Sequence, residues 1–368
     1  MPTGSKPVGK TNVKSRTRPR LLRIVASMAL LALVGGAAAV DRSRPVESTN
    51  QGVGTTETFV NDNLNGANRS AGPSPSASRS AKAKPKPKAS AGFTASSAFI
   101  PGSGQVYLGA AGDSQALARA TGTPLSDHAY AHFSGGVPAG RMITVKDNGT
   151  WRSVAAAGPG SAIYNNIVRW AQTIKSRSGM VMFAYHHEPE GANSRRFGTP
   201  AEFIQAWRRV VTIFRSQGVR NAIYTWQMTA WAFRAAPSDP RYAARWYPGD
   251  DYVDSVGADA YNWGVCGEGS GNWQELKTLG DPVLAFARAH GKDASFPEFA
   301  SHADLRRAQW TYNALQYIAT NRSRITGAFY FHRPPTVAAN NDCRWPLSAS
   351  AEYSAYAALG RNRAYFTP

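Results

Sequence analysis

Over about the last 270 residues of this chain, short apolar runs alternate with amphipathic stretches. An apolar run bounded by turn residues predicts a strand buried on both faces, whereas apolar positions three or four residues apart predict a helix. Strands are predicted at residues 106–112, 129–133, 142–145, 181–185, 222–226, 252–260, 294–299 and 325–332. Helices are predicted at residues 114–121, 162–176, 200–217, 273–290, 304–319 and 351–360. Eight strands followed by helices predict an α/β fold, a (β/α)8 TIM barrel over residues 98–368.

One helix carries a complete set of start signals. Thr199 stands at the N-cap position, Pro200 at the first helical position, and Glu202 where it completes a capping box. Gly218 follows the predicted end, as glycine commonly does after a helix. The boundary between the fourth strand and its helix is therefore well marked.

The stretch from Val181 to Gly191 holds the first candidate for chemistry. Five apolar residues lead directly into two histidines, two glutamates, a proline and a glycine. In a (β/α)8 barrel, polar side chains at the carboxyl ends of strands build the active site. Glu188 is therefore a candidate catalytic carboxylate at the end of the fourth strand.

A second carboxylate, Glu298, ends the seventh predicted strand. A closed barrel would direct Glu188 and Glu298 into the same mouth, although they are 110 positions apart. Glycoside hydrolysis requires such a pair of carboxyl groups on either side of the scissile bond. The alternative is that the two are unrelated surface or ion-paired glutamates, but an isolated carboxylate in an apolar strand is costly to bury.

Several segments resemble glycoside hydrolase family 26. They are His187-Glu188-Pro189-Glu190-Gly191, Asp259-Ala260-Tyr261, Pro297-Glu298-Phe299 and the stretch from Trp246 to Asp254. The family comprises retaining (β/α)8 glycosidases dominated by β-mannanases, with some xylanases and mixed-linkage glucanases. The resemblance covers roughly residues 105 to 345.

The resemblance implies a role for each of five residues. Glu188 would be the acid/base, with His187 beside it, and Glu298 would be the nucleophile. Tyr261 would be a hydrogen-bond partner of the nucleophile, and Asp259 would lie in the subsites nearest the bond that is cleaved.

The implied substrate is a β-linked polysaccharide, with β-1,4-mannan first and β-glucan or β-xylan as alternatives. The chain departs from the family's usual pattern at Glu190, where an Asn often stands. A non-catalytic, glycan-binding barrel is the alternative from another functional class. Both glutamates are present, whereas a binding protein derived from such an enzyme would commonly have lost one.

Aromatic side chains near strand ends are candidates for sugar-stacking platforms. Trp226, Trp231, Trp263 and Trp345 lie at or after predicted strand ends, and such rings stack on the apolar faces of sugars. We take Trp226 and Trp263 as substrate-binding candidates, with the others packing. His186, His187 and Glu190 do not have metal-ligand spacing, so we predict neither a metal nor another cofactor.

The two cysteines of the chain, Cys266 and Cys343, fall in predicted loops at the catalytic end. An even number of cysteines in an exported chain favours a disulfide. We therefore predict a bond between them.

The amino-terminal part predicts export. Residues 1–23 carry seven Lys or Arg and no acid, and residues 24–40 are uncharged and end in small residues. This order predicts a signal peptide or a membrane anchor over residues 1–40, with the remainder outside the cytoplasm. Residues 41–97 are rich in Ser, Pro and Lys and predict a disordered linker.

Charge and composition limit the partners. The first 95 residues carry 15 basic and 4 acidic side chains, a net +11 of the total +19, so the basicity belongs mainly to this segment. Phe59 and Phe93 are its only aromatic residues and provide no platform for stacking nucleic-acid bases. We predict a monomer that binds a polysaccharide and no nucleic acid. The linker is expected to be a plain spacer, and the alternative is that its Lys residues contact an anionic cell wall or membrane surface.

Overall fold

The computed structural model of the protein describes residues 104–147, 149–267, 271–333 and 343–368. The predicted signal or anchor segment and the predicted linker lie outside these residues. Within the described ranges, no helix has both the length and the apolar character needed to cross a membrane.

Strands and α-helices succeed one another along the described part of the chain, although a helix does not follow every strand. The strands are β1 (Val106–Gly112), β2 (Ser126–His132), β3 (Met142–Lys146), β4 (Val181–Tyr185), β5 (Ala222–Thr229), β6 (Ser255–Asn262), β7 (Asp293–Ser301), β8 (Ile325–His332) and β9 (Phe366–Thr367). The α-helices are α1 (Ser114–Thr121), α2 (Trp151–Ala155), α3 (Ala162–Lys175), α4 (Pro200–Ser216), α5 (Leu276–Ala289), α6 (Arg307–Thr320) and α7 (Ser350–Gly360). Short 3-10 turns occupy Ala192–Phe197, Ala230–Phe233, Ala243–Arg245, Asp250–Tyr252 and Arg322–Arg324.

The strands close into a parallel barrel. Each of β1 to β7 pairs in parallel with the next strand, and β8 pairs in parallel with β1. The short strand β9 pairs with the first two residues of β1, with Phe366 opposite Val106. Because the sheet is closed and α-helices follow all of its eight barrel strands except β2 and β5, the predicted (β/α)8 TIM barrel is confirmed.

Most element boundaries match the predictions, and the differences have local causes. Strand β2 begins at Ser126 because its pairing with β1 starts there. Strand β5 extends to Thr229, which pairs with Asp259 of β6. The predicted capping box of α4 is present: the Thr199 backbone N–H donates to Glu202 Oε2 at 2.8 Å, and the Glu202 N–H donates to Thr199 Oγ1 at 3.3 Å.

The barrel has an apolar floor below a polar upper layer. Met142, Met182, Ile223 and Phe329 form a buried cluster separate from the larger core between strands and helices. Alternate residues of a strand share one face, so polar groups farther along the same strands also face inward. Thr144 Oγ1, for example, donates across the barrel to Gln227 Oε1 at 2.9 Å.

A buried ion pair fixes the chain after the eighth strand. Arg307 of α6 donates from Nε and Nη2 to the Glu352 carboxylate of α7, at 2.7 and 2.8 Å. The Arg307 side chain is 1% exposed, and its Nη1 also donates to the backbone oxygen of Arg344 at 2.8 Å. The segment that contributes Trp345 to the upper end of the barrel is thereby held against α6.

Candidate active site

The His-Glu segment leaves strand β4 through an irregular backbone. His186 and Glu188 have φ angles of 54° and 47°, in the left-handed region that residues other than glycine rarely adopt. The Glu188 N–H donates to the Gln227 backbone oxygen of β5 at 3.0 Å, which ties the segment to the barrel. Strain of this kind, held by surrounding hydrogen bonds, commonly occurs at functional sites.

Glu298 is directed by a bulge in strand β7. Its register against β6 changes from Gly257 opposite Ser295 to Asp259 opposite Glu298, so β7 contains one extra residue. The extra residue falls at Phe296-Pro297, and proline within a sheet is found at such irregularities. Because one inserted residue reverses which face a side chain takes, the bulge determines the direction of Glu298.

Two tyrosine hydroxyls hold the Glu298 carboxylate. Tyr130 of β2 donates to Oε1 at 2.6 Å, and Tyr261 of β6 donates to Oε2 at 2.5 Å. Burial, followed by the charge of Glu298, keeps the pKa of each tyrosine well above its usual range, so both remain protonated donors. Glu298 itself is only 6% exposed. Such charge-assisted bonds fix the orientation of a carboxylate and stabilise its ionised form.

Glu188 lies in a cluster of buried carboxyl groups whose pKa values are all raised. Burial, then the charges of Glu298 and Glu190, raise the pKa of Glu188 to about 8. The Asp259 carboxyl group opposes this rise, since its interaction with Glu188 lowers the pKa of Glu188. Burial, then the charges of Glu298 and Glu188, hold the pKa of Asp259 well above its usual range.

Asp259 and Glu190 are buried beside Glu188. Gln227 Nε2 donates to both Asp259 oxygens, at 2.9 and 3.0 Å. Glu190 Oε1 accepts from the N–H and the hydroxyl of Thr229, at 2.7 and 2.8 Å. Burial raises the pKa of Glu190 to about 7, although both bonds from Thr229 oppose that shift.

The two adjacent histidines have different surroundings. His186 is buried behind the mouth, where its Nδ1 accepts from Trp151 Nε1 at 3.1 Å. His187 faces the mouth, with its ring 5.6 Å from that of Tyr130. Burial lowers the pKa of His187; the charge of Glu298 opposes this shift and the charge of Lys146 adds to it.

A cleft of about 330 Å³ opens beside Glu298. Its lining comprises Tyr130, Ala131, Thr144, Lys146, His187, Glu298, Phe331 and Arg333. These residues come from strands β2, β3, β7 and β8 and from the segment after β4. The cleft is therefore at the carboxyl end of the barrel, where a polymer could reach the carboxylates from solvent.

Of the two tryptophans predicted to bind substrate, the structure brings only one to the mouth. Trp263 is partly exposed and packs against Tyr261 and Trp345, with ring centroids 5.9 and 5.2 Å away. Trp226 is fully buried and packs against Phe286 of α5 on the outer side of the sheet. A buried ring cannot stack on a glycan, so the prediction for Trp226 is wrong.

The predicted disulfide between Cys266 and Cys343 is present, with a Cα–Cα distance of 5.2 Å. His302 is near it, and one potential ligand atom from each of the three residues lies within 4.8 Å of the others. Both sulfurs are engaged in the covalent bond and are not thiolates, so this group cannot act as a thiolate metal site while oxidised.

The structure thus assembles six of the predicted site residues in one mouth: His187, Glu188, Asp259, Tyr261, Trp263 and Glu298. Their individual roles stay predictions. Sequence reasoning missed four others, namely Tyr130, Lys146, Glu190 and Gln227. For Tyr130 a signal was present, because His128, Tyr130 and His132 alternate along β2 as polar residues on one face do.

Comparison with known proteins identifies relatives over this part of the chain. The family model of glycosyl hydrolase family 26 matches residues 160–336, a range that contains Glu188 and Glu298. Endoglucanase H of Acetivibrio thermocellus is 28% identical over 198 residues, which are 50% of this chain and 20% of that protein. The chain thus spans about a fifth of the length of this curated relative.

Two solved structures are similar to part of this chain. GH26C from a Muricauda species has a TM-score of 0.48 at 16% identity, covering 69% of this chain and 85% of that one. The catalytic domain of a Bacillus endo-β-1,4-mannanase has a TM-score of 0.41 at 20% identity, covering 61% and 66% of the two chains.

Proposed function

Because this chain belongs to glycosyl hydrolase family 26 and is a glycosidase, we propose that it cleaves a β-linked polysaccharide by double displacement. Glu188 is the acid/base and Glu298 the nucleophile. The observation that carries this proposal is the contrast between the two carboxyl groups. Two hydroxyl donors hold Glu298, whereas burial and neighbouring charge favour the protonated form of Glu188.

In the first step, Glu298 attacks the anomeric carbon of the sugar on the glycone side. The bond between that carbon and the glycosidic oxygen breaks, and its electron pair goes to the oxygen, which takes the proton of Glu188. With its pKa raised to about 8, Glu188 holds this proton at neutral pH. The products are a glycosyl ester on Glu298, an ionised Glu188 and a free alcohol on the leaving sugar.

In the second step, the ionised Glu188 takes a proton from water, and the water oxygen attacks the same carbon. The ester bond to Glu298 breaks, and its electron pair returns to the carboxylate. Tyr130 and Tyr261 can donate to the charge that re-forms on Glu298. Two displacements at one carbon leave its configuration unchanged.

β-1,4-Mannan is the first substrate to test, and β-glucan is the main alternative. The relative is named an endoglucanase, which supports including β-1,4-glucan in the panel. β-Xylan is the third polymer of this test panel. A non-catalytic glycan-binding barrel, the rival from another class, would bind one of these polymers without releasing reducing ends.

The two roles are tested by Glu298→Ala and Glu188→Ala. We expect Glu298→Ala to lose nearly all turnover on every substrate. Glu188→Ala should lose most activity on polysaccharides, yet still form the ester from an aryl glycoside whose leaving group needs no proton. Added azide should then accelerate turnover of Glu188→Ala and give a β-azide product. Azide rescue of Glu298→Ala with an α-azide product would reverse the two roles.

We also propose that the enzyme acts outside the cytoplasm, as the basic and then uncharged start of the chain supports. Fractionation of the producing cells should find activity outside the membrane or bound to its outer face. A soluble cytoplasmic pool of active enzyme would contradict this location.

A further inference from the structure

Two positively charged side chains line the cleft beside Glu298. Lys146 is the last residue of β3, and Arg333 follows the end of β8. Thr144 of β3 faces the barrel interior, where it contacts Gln227. Residues two apart on a strand share a face, so Lys146 also extends from the inner face of β3 into the mouth.

Neither cation has a carboxylate partner within the described residues. The ion pairs in that part of the chain involve Arg152, Arg241, Lys277, His290, Arg306 and Arg307. Lys146 is half-buried, and a partly desolvated charge is costly unless something pairs with it. Its position in a substrate cleft makes the substrate a candidate for that partner.

The carboxylates at the base of the mouth already have their own donors. Tyr130 and Tyr261 supply two hydrogen bonds to Glu298, and Gln227 supplies two to Asp259. Lys146 is therefore not required to satisfy them. It is available to a group that enters the cleft from solvent.

The positive charge continues along the groove beyond Lys146. An adjoining hollow of about 470 Å³ is lined by Lys146 and also by Arg196, His132 and Asp147. Asp147, the acid of this hollow, already accepts from the Gly149 N–H at 2.9 Å. Three cationic side chains, Lys146, Arg196 and Arg333, thus line two hollows that share Lys146.

The cleft belongs to the glycone side of the proposed site. A nucleophile bonds to the anomeric carbon of the glycone sugar, and the cleft touches Glu298. Glu188, which would protonate the leaving sugar, is not among the residues that line this cleft. A sugar whose anomeric carbon meets Glu298 would therefore have Lys146 and Arg333 beside it.

We propose that the glycone subsites bind a sugar unit that carries a negative charge, and that Lys146 and Arg333 recognise this charge. A uronic-acid carboxylate, or a sulfate or phosphate ester, presents the acceptor oxygens that these side chains bind. The proposal rests on the proposed function, because it assigns the glycone side from the role of Glu298. It requires that the β-linked substrate carry acidic units, so that neutral mannan, glucan and xylan would be poorer substrates than β-glycans with such units.

The test compares each uronic-acid polysaccharide with the same polymer after its carboxyl groups have been reduced to neutral alcohols. Sulfated and phosphorylated β-glycans, with their desulfated and dephosphorylated counterparts, form the second arm. We expect kcat/KM, from the release of reducing ends, to be at least tenfold higher for the acidic member of one pair. That preference should shrink between 20 and 200 mM salt, because salt screens charge–charge attraction. The set of polymers in which this salt-sensitive preference appears identifies the anionic group that the site recognises.

The variants Lys146→Met and Arg333→Gln should each reduce the ratio of kcat/KM between acidic and neutral members by about tenfold, mainly through KM. Lys175→Gln, on the outer helix α3, is the matched control and should keep the wild-type ratio. Equal turnover of both members by the wild type would overturn the proposal. An equal loss on both members in Lys146→Met would also overturn it, since Lys146 would then support catalysis and not recognition.

Failure of the proposed function gives a different result. If the wild type released no reducing ends from any polymer or aryl glycoside, the glycosidase mechanism would fail while acidic recognition stayed testable. Calorimetry with Glu298→Ala would then compare binding of acidic oligosaccharides with their reduced forms. Tighter binding of the acidic form, lost in Lys146→Met, would sustain the proposal, and equal binding would reject it.

Discussion

Replacing Tyr130 by phenylalanine removes one of the two hydroxyl donors from Glu298 with little change in volume. In the proposed reaction, Glu298 loses negative charge while the glycosyl ester forms and regains it while the ester is hydrolysed. The hydrogen bond from Tyr130, 2.6 Å long, therefore stabilises the carboxylate leaving group of the second step. In the first step the same bond stabilises the starting state at least as much as the transition state.

The expected change in the rate of ester hydrolysis follows from this difference between the two steps. A hydrogen bond to a charged group contributes about 1.5–3 kcal/mol. At about 1.4 kcal/mol per factor of ten, its loss should slow hydrolysis of the ester about 10- to 150-fold. Formation of the ester should change much less. With Tyr261 still donating to the other oxygen, the site should keep its geometry.

The assay uses a dinitrophenyl glycoside, whose leaving group needs no proton, so that hydrolysis of the ester limits turnover. We expect kcat of Tyr130→Phe to fall by the stated factor, KM to fall with it, and kcat/KM to stay nearly constant. A burst of dinitrophenol should precede the slow steady state. Tyr261→Phe should behave alike, and Tyr164→Phe on the outer helix α3 serves as the control.

Two results would refute this reasoning. A fall in kcat/KM as large as that in kcat, with KM unchanged, would mean that Tyr130 acts mainly on attack by Glu298. Turnover of Tyr130→Phe within twofold of the wild type would mean that the hydrogen bond from Tyr130 to Glu298 does not stabilise the carboxylate during the reaction.

Three further predictions concern pH and stability. Glu188 must be protonated to act as the acid, so activity should be present below its pKa and be lost as pH rises through about 8. A pH profile of kcat/KM that already falls near pH 5 would contradict this. Arg307→Met should lower the free energy of unfolding by about 3–5 kcal/mol in denaturant titrations, since it leaves the buried Glu352 carboxylate without its cation; a loss below 1 kcal/mol would be inconsistent with a buried pair. Reduction of the Cys266–Cys343 bond, whose cysteines are 77 positions apart, should lower the free energy of unfolding by about 4 kcal/mol in the same titrations. Unfolded, unreduced protein should show no free thiol.

The strand ends that carry the candidate carboxylates could be predicted from sequence, because barrel strands are marked by apolar runs and turn residues. β4 and β8 match their predicted bounds, and the α4 capping box is present as predicted. Both signals are local. They depend on residues a few positions apart and not on what the rest of the fold brings near them.

The directions of side chains were less predictable, as Trp226 demonstrates. Gln227 faces the barrel interior and bonds to Asp259, so the neighbouring Trp226 must face the helices. Strict alternation along β5 would have given this result. Trp231, beyond the strand, is 38% exposed, and Arg241 lies 3.8 Å above its ring.

Alternation alone does not fix the direction of either candidate catalytic glutamate, because both follow an irregular backbone. Glu188 has a left-handed φ, a conformation that costs about 1–3 kcal/mol, and Glu298 follows the extra residue of the β7 bulge. The hydrogen bond from the Glu188 N–H to Gln227, and those from the two tyrosines to Glu298, hold these directions against regular strand geometry. The partners come from β2, β5 and β6, far away in sequence. The site therefore depends on closure of the barrel, which explains why the sequence indicated the carboxylates but not Tyr130.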